Sequence, residues 1–152
     1  MNFLSRIKHY FRSAFREIIV YHNSSLEFRA KLFTIVAGAN EEFSKAEHKI
    51  IKEAAQKIYH DDPNRVETLL LAIKEYIEKI REKNDLGIDE LARDIINNIK
   101  RNKRFVEKID TKILEPLLTI QDDPDVKDYQ RHIIDFLDNL KEEYSEKKVI
   151  QP

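Results

Sequence analysis

A chain of 152 residues is the length of one ordinary domain. Hydrophobic residues at 41% supply a core, while two glycines and four prolines are too few for the turns of a β-sandwich or barrel, so an all-α fold is expected. The absence of cysteine excludes disulfides, thiolate zinc sites and cysteine nucleophiles, and 27 Lys and Arg against 28 Asp and Glu leave no global attraction to nucleic acid.

Hydrophobic periodicity predicts seven helices. The first spans about Phe3 to Tyr21 and the second about Ser25 to Ala39. The third opens on Ser44 with Glu47 three residues on, a capping-box signature, and ends near Tyr59. Asp61-Asp62-Pro63 separates it from the fourth, which repeats Val66, Leu69, Leu70, Ile73, Ile77 and Ile80. After a turn at Asn84-Asp85-Leu86-Gly87, the fifth carries Leu91, Ile95 and Ile99 on one face. The sixth lies between about Lys103 and Gln121, with Pro116 kinking it or marking a late start after Asp110. Asp122-Asp123-Pro124 introduces the seventh, whose apolar face is read as Val126, Tyr129, Ile133, Phe136, Leu137, Leu140 and Tyr144, before a frayed tail from Ser145. Short connections imply antiparallel neighbours in one compact bundle. The organisation expected is an amphipathic helix over 1–22, a helical domain over 23–144 and a tail over 145–152.

The first helix has the most distinctive composition. Phe3, Leu4, Ile7, Tyr10, Phe11, Ala14, Phe15, Ile18 and Tyr21 share one sector, while Lys8, Arg12 and Arg16 lie on the opposite side. Such a helix lies on an anionic membrane surface, docks in a partner's groove, or packs as the first helix of the bundle. Its regularly spaced cations leave no apolar signal segment, and the longest apolar run, Leu69 to Ile73, is too short to cross a membrane. A cytoplasmic location, peripheral to a membrane, is therefore expected.

Two acid-rich turns look like copies of one device. In the first, Ala39-Asn40-Glu41-Glu42-Phe43 leads to Glu47; in the second, Asp123-Pro124-Asp125-Val126 leads to Gln130. In each a helix ends, a polar turn follows, and an apolar residue, Phe43 or Val126, anchors the start of the next helix. Both anchors are expected to be buried, with the polar turn residues at the surface.

With these turns and the amphipathic start Met1-Asn2-Phe3-Leu4-Ser5-Arg6-Ile7-Lys8, the chain resembles the tellurite-resistance protein B (TerB-like) family. The resemblance implies an all-α bundle of about seven helices in two pseudo-repeated parts. Each part carries a turn of the form Ala-Asp-Gly-x-apolar-x-x-x-Glu, and acidic residues of the two turns hold a divalent metal. Carried to this chain, that implies Asn40, Glu47, Asp123 and Asp125 as metal-site residues. Asn40 and Gln130 replace signature carboxylates, and Glu41 and Pro124 replace glycines, so any ion is expected to be held weakly. Restoring the pattern by Asn40→Asp with Gln130→Glu is expected to raise divalent affinity. Capping alone also accounts for Ser44, Glu47, Asp123 and Asp125.

Asp128, His132 and Asp135 form a further stripe, continued by Asn139 and Glu142, that reads either as a chelate or as a solvated face. The run Lys100-Arg101-Asn102-Lys103-Arg104 reads as a solvated junction; no aromatic residues interleave with it as a nucleic-acid platform requires. The chain shows no phosphate loop, nucleophile elbow or HExxH motif. The function expected is a non-enzymatic TerB-like interaction module in a stress-response assembly, with a protein partner and an anionic membrane surface. Neither nucleic acid nor a small-molecule substrate is expected. The alternative is a divalent-metal sensor built on the two turns.

Overall fold

The structure, a computed structural model, describes residues 24–39, 43–83 and 86–150. They form α1 (Ser24–Ala37), α2 (Lys45–Ile58), α3 (Pro63–Lys83), α4 (Leu86–Arg101), two 3-10 turns (Lys103–Lys108 and Thr111–Ile113), α5 (Pro116–Thr119) and α6 (Pro124–Ile150). No strand occurs among the described residues, so the all-helical class follows directly. The first predicted helix, Asn40 and the Glu41-Glu42 pair lie outside the described residues.

Helix α1 is the centre of the bundle. From Ala30 to Ala37 every residue is buried, because its sequence is apolar on all sides. The two polar side chains within this stretch are satisfied: Thr34 Oγ1 donates to the Ala30 carbonyl at 2.7 Å, and Lys31 Nζ donates to Asn98 Oδ1 of α4 at 2.9 Å. Around it pack α3, α4, α6 and the first 3-10 turn.

Contacts along α1 fix the directions of its neighbours. Near its start Phe28 stacks on Phe105, ring centroids 5.0 Å apart, and Arg29 lies over the Tyr59 ring at 5.6 Å. At its far end Gly38 faces Ile80 of α3 and Ile88 of α4. So α1 runs parallel to α3 and antiparallel to α4. One end of the bundle gathers the start of α1, the α2–α3 turn and the end of α4.

Each break is local chemistry. Between α2 and α3, His60 and Asp61 take left-handed φ of 51° and 61°, and Asp62 Oδ1 accepts the backbone N–H groups of Asn64 and Arg65 at 3.2 and 3.3 Å. The expected sixth helix is absent as a unit. Asn102 and Asp110 accept the N–H groups of Arg104 and Lys112, each at 3.1 Å, and start separate 3-10 turns. Pro116 then opens the four-residue α5 at its first turn. Helix α4 starts at Leu86, within the expected turn, and α6 continues past Ser145.

The buried face of α6 differs from the sequence reading. Gln130, Ile134, Leu137, Leu140 and Tyr144 face the core, whereas Ile133 and Phe136 are half-buried and Tyr129 is 42% exposed. The stripe is rotated toward Gln130 because Gln130 Nε2 donates to the Val36 carbonyl at 3.2 Å, pinning this helix against α1.

Candidate functional site

The two turns carry the candidate residues. At the first, Ser44 Oγ accepts the Glu47 N–H and Glu47 Oε1 accepts the Ser44 N–H, each at 3.1 Å, so the capping box is complete. Glu47 is only 2% exposed, and its carboxylate is engaged in this box rather than presented to solvent. Phe43 meets the edge of His48 at 5.7 Å and is half-buried.

At the second turn Asp123 caps α6. Its Oδ1 accepts the Asp125 N–H at 2.9 Å, its carbonyl accepts the Lys127 N–H at 3.0 Å, and Pro124 fills the first helical position. Gln121 Oε1 accepts the Asp123 N–H at 3.1 Å. Asp123 and Asp125 are exposed, and Val126 is half-buried. The expectation that Phe43 and Val126 would be buried is therefore corrected. The deep positions of the two turns are Glu47 and Gln130, which reach the interior one helical turn past each anchor.

Among the described residues no three His, Asp or Glu side chains converge as a metal-binding group. The stripe Asp128, His132, Asp135, Asn139 and Glu142 is exposed throughout, as a solvated helix face is. The apolar and basic residues Phe3, Ile7, Lys8, Phe11, Arg12, Phe15 and Arg16 lie outside the described residues.

Next to the first turn opens a cleft of about 1480 Å³. Its floor is apolar, with Phe43, Leu70, Leu71 and Ile80 all half-buried. Its rim carries both signs of charge, for example Lys74 and Glu78, and Tyr129 of α6 stands at one side. Sequence reasoning missed it because its walls come from distant segments. The signal that could have found it is the run Leu69-Leu70-Leu71, more apolar than one core-facing stripe of α3 requires.

Burial raises the ionisation of Tyr59 above its ordinary value of 10.0, opposed by the nearby Arg29 and Arg65. Lys108 titrates below its ordinary value, through burial first and the neighbouring Arg29 charge second.

No protein-family model, curated protein or solved structure matches this chain.

Proposed function

We propose that this protein is a non-enzymatic, TerB-like interaction module acting in a stress-response assembly at the cytoplasmic face of a membrane. The observation that supports the module reading is the cleft. Half-exposed leucines on its floor offer apolar area, and a rim of mixed charge offers specificity, the combination that receives an amphipathic helix of a partner protein. The acids proposed from the family pattern are meanwhile engaged in local structure: Glu47 in a capping box, Asp123 in a helix cap.

Membrane attachment in this reading uses Phe3, Ile7, Phe11 and Phe15 as the inserted face and Lys8, Arg12 and Arg16 as the lipid-headgroup contacts. The test is sedimentation of the full chain with phosphatidylcholine vesicles, with and without phosphatidylglycerol. Binding only to the anionic vesicles, lost in Lys8→Glu/Arg12→Glu/Arg16→Glu, is the expected result. Equal recovery in the supernatant with both vesicle types contradicts the membrane part of the reading.

A second reading, a divalent-metal sensor, draws on one observation: Gln130 is fully buried and its Oε1 meets no donor among the described residues. The reading itself would use the oxygen atoms of Asn40, Glu47, Asp123 and Asp125, with weak affinity for a hard cation because Asn40 offers no charge.

A further inference from the structure

Charge is unevenly distributed along this nearly neutral chain. Residues 1–23 carry a net charge of +3 and residues 100–108 a net charge of +4, so the remaining 120 residues carry −8. The fold brings the second block to the place where the first is attached. Phe105, within the 100–108 block, stacks on Phe28 of α1, and Lys31 reaches Asn98, two residues before the block. Ser24 lies four residues before Phe28, about 6 Å along the helix axis. The covalent junction with residues 1–23 therefore sits beside the basic block.

The block itself is held outward. Phe105 and Val106 are buried as anchors, Asn102 caps the turn through the Arg104 N–H, and Lys100, Arg101, Lys103 and Arg104 are all exposed. Burial first, and the nearby Arg29 charge second, lower the pKa of Lys108, while Glu107 opposes the shift. Acids are present too. Glu107 lies in the block, and Asp61 and Asp62 lie in the α2–α3 turn, where Asp62 caps α3 and pairs with Arg65 at 3.7 Å. Favourable interaction with the end of the α4 dipole accounts for Lys100 and Arg101, which occupy its last turn. It does not account for Lys103 and Arg104, which lie beyond the helix.

We propose that the end of the bundle bearing Lys100, Arg101, Lys103 and Arg104 is a second membrane contact, apposed to anionic lipid headgroups beside the N-terminal segment. The proposal rests on the membrane reading given above. A single amphipathic or lipid anchor binds marginally and reversibly, and a neighbouring polybasic cluster is the usual second signal. Four exposed cations at one end of the bundle suit a diffuse anionic surface. A nucleic-acid groove would call for exposed, interleaved aromatic side chains, and the one aromatic residue of the block, Phe105, is buried.

The test compares full-length variants on phosphatidylcholine–phosphatidylglycerol vesicles, with circular dichroism to verify the fold. Lys100→Glu/Arg101→Glu/Lys103→Glu/Arg104→Glu should lower vesicle affinity by at least about tenfold, since each basic residue near such a surface contributes roughly fivefold. The neutral set with Gln at the same four positions should give a smaller loss and avoids any unfolding that the reversed charges cause. A charge-matched control, Lys49→Glu/Lys52→Glu/Lys79→Glu/Lys127→Glu, changes net charge equally on exposed positions elsewhere and should lose much less. A fluorophore on Glu107→Cys, the sole thiol of that variant, should shift to the blue on vesicle binding.

Wild-type-like binding by both junction variants overturns the proposal and leaves the N-terminal reading standing. Equal losses in junction and control variants reduce the effect to net charge and also overturn it. No binding by the wild-type chain removes both readings. Tighter binding to single-stranded RNA than to vesicles, abolished by the junction variants, would reassign this end to nucleic acid.

Discussion

Gln130 Nε2 donates to the carbonyl of Val36 at 3.2 Å, joining α6 to the end of the central helix across 94 positions of sequence. The side chain is fully buried, so this one amide fixes which face of a 27-residue helix meets the core. The position expected from the resemblance to sit in an acidic-turn device thus serves as a donor to backbone.

Gln130→Glu replaces that donor with an acceptor facing another acceptor. Burial raises the carboxyl pKa in the folded state, so its charge opposes folding. The sign follows: the penalty is small below the unfolded value of about 4.3 and grows as pH rises through the folded value. A loss of about 2 kcal/mol or more is expected at neutral pH, from leaving buried polar groups unsatisfied. Urea unfolding near pH 4 and pH 7 checks it, and a variant equally stable at both would contradict the assignment. Asn40→Asp with Gln130→Glu, suggested by the family pattern as a gain in divalent affinity, carries this cost.

Gly87 permits the closest approach of α4 to α3. A β-carbon there would stand 2.8 Å from Ile80 Cα and 3.1 Å from Ile80 Cγ1, and a backbone atom cannot step aside. Gly87→Ala gains up to about 1 kcal/mol in helix propensity. Overpacking costs about 1–3 kcal/mol, so a net loss of stability is expected. A raised melting temperature would show that the two helices separate freely.

Tyr59 supplies an alkaline signature. Its raised ionisation means that the folded state favours the neutral phenol. That stabilisation is intact below pH 10 and is lost as pH rises through the folded value. The fall in unfolding midpoint above about pH 10 should be shallower in Tyr59→Phe, whose position no longer ionises.

Periodicity made the core of α3 and α4 legible: Val66, Leu69, Ile73 and Ile77, then Leu91, Ile95 and Ile99, are buried as their spacing predicts. Ser44 and Glu47 announced a helix start because a capping box is a local device. The buried face of α6 was legible only in its second half, at Leu137, Leu140 and Tyr144. Tyr129, Ile133 and Phe136 outweigh Gln130 in hydrophobicity, and only a carbonyl contributed by α1 makes a buried glutamine favourable. The break of the sixth helix into 3-10 turns was half-visible, in Pro116 and Asp110, but not in Asn102. The cleft was invisible for another reason: its floor unites Phe43 with α3 residues only after α2 has folded back.

The central claim is that the acidic turns work as helix caps and packing devices, which puts the interaction module ahead of the metal sensor. Titration calorimetry of the full chain with calcium and with magnesium tests it most directly. The account predicts no saturable binding in the sensor range of about 10⁻⁷–10⁻⁵ M. A stoichiometric calcium isotherm in that range, abolished by Glu47→Gln, would contradict it and establish the turns as a metal site.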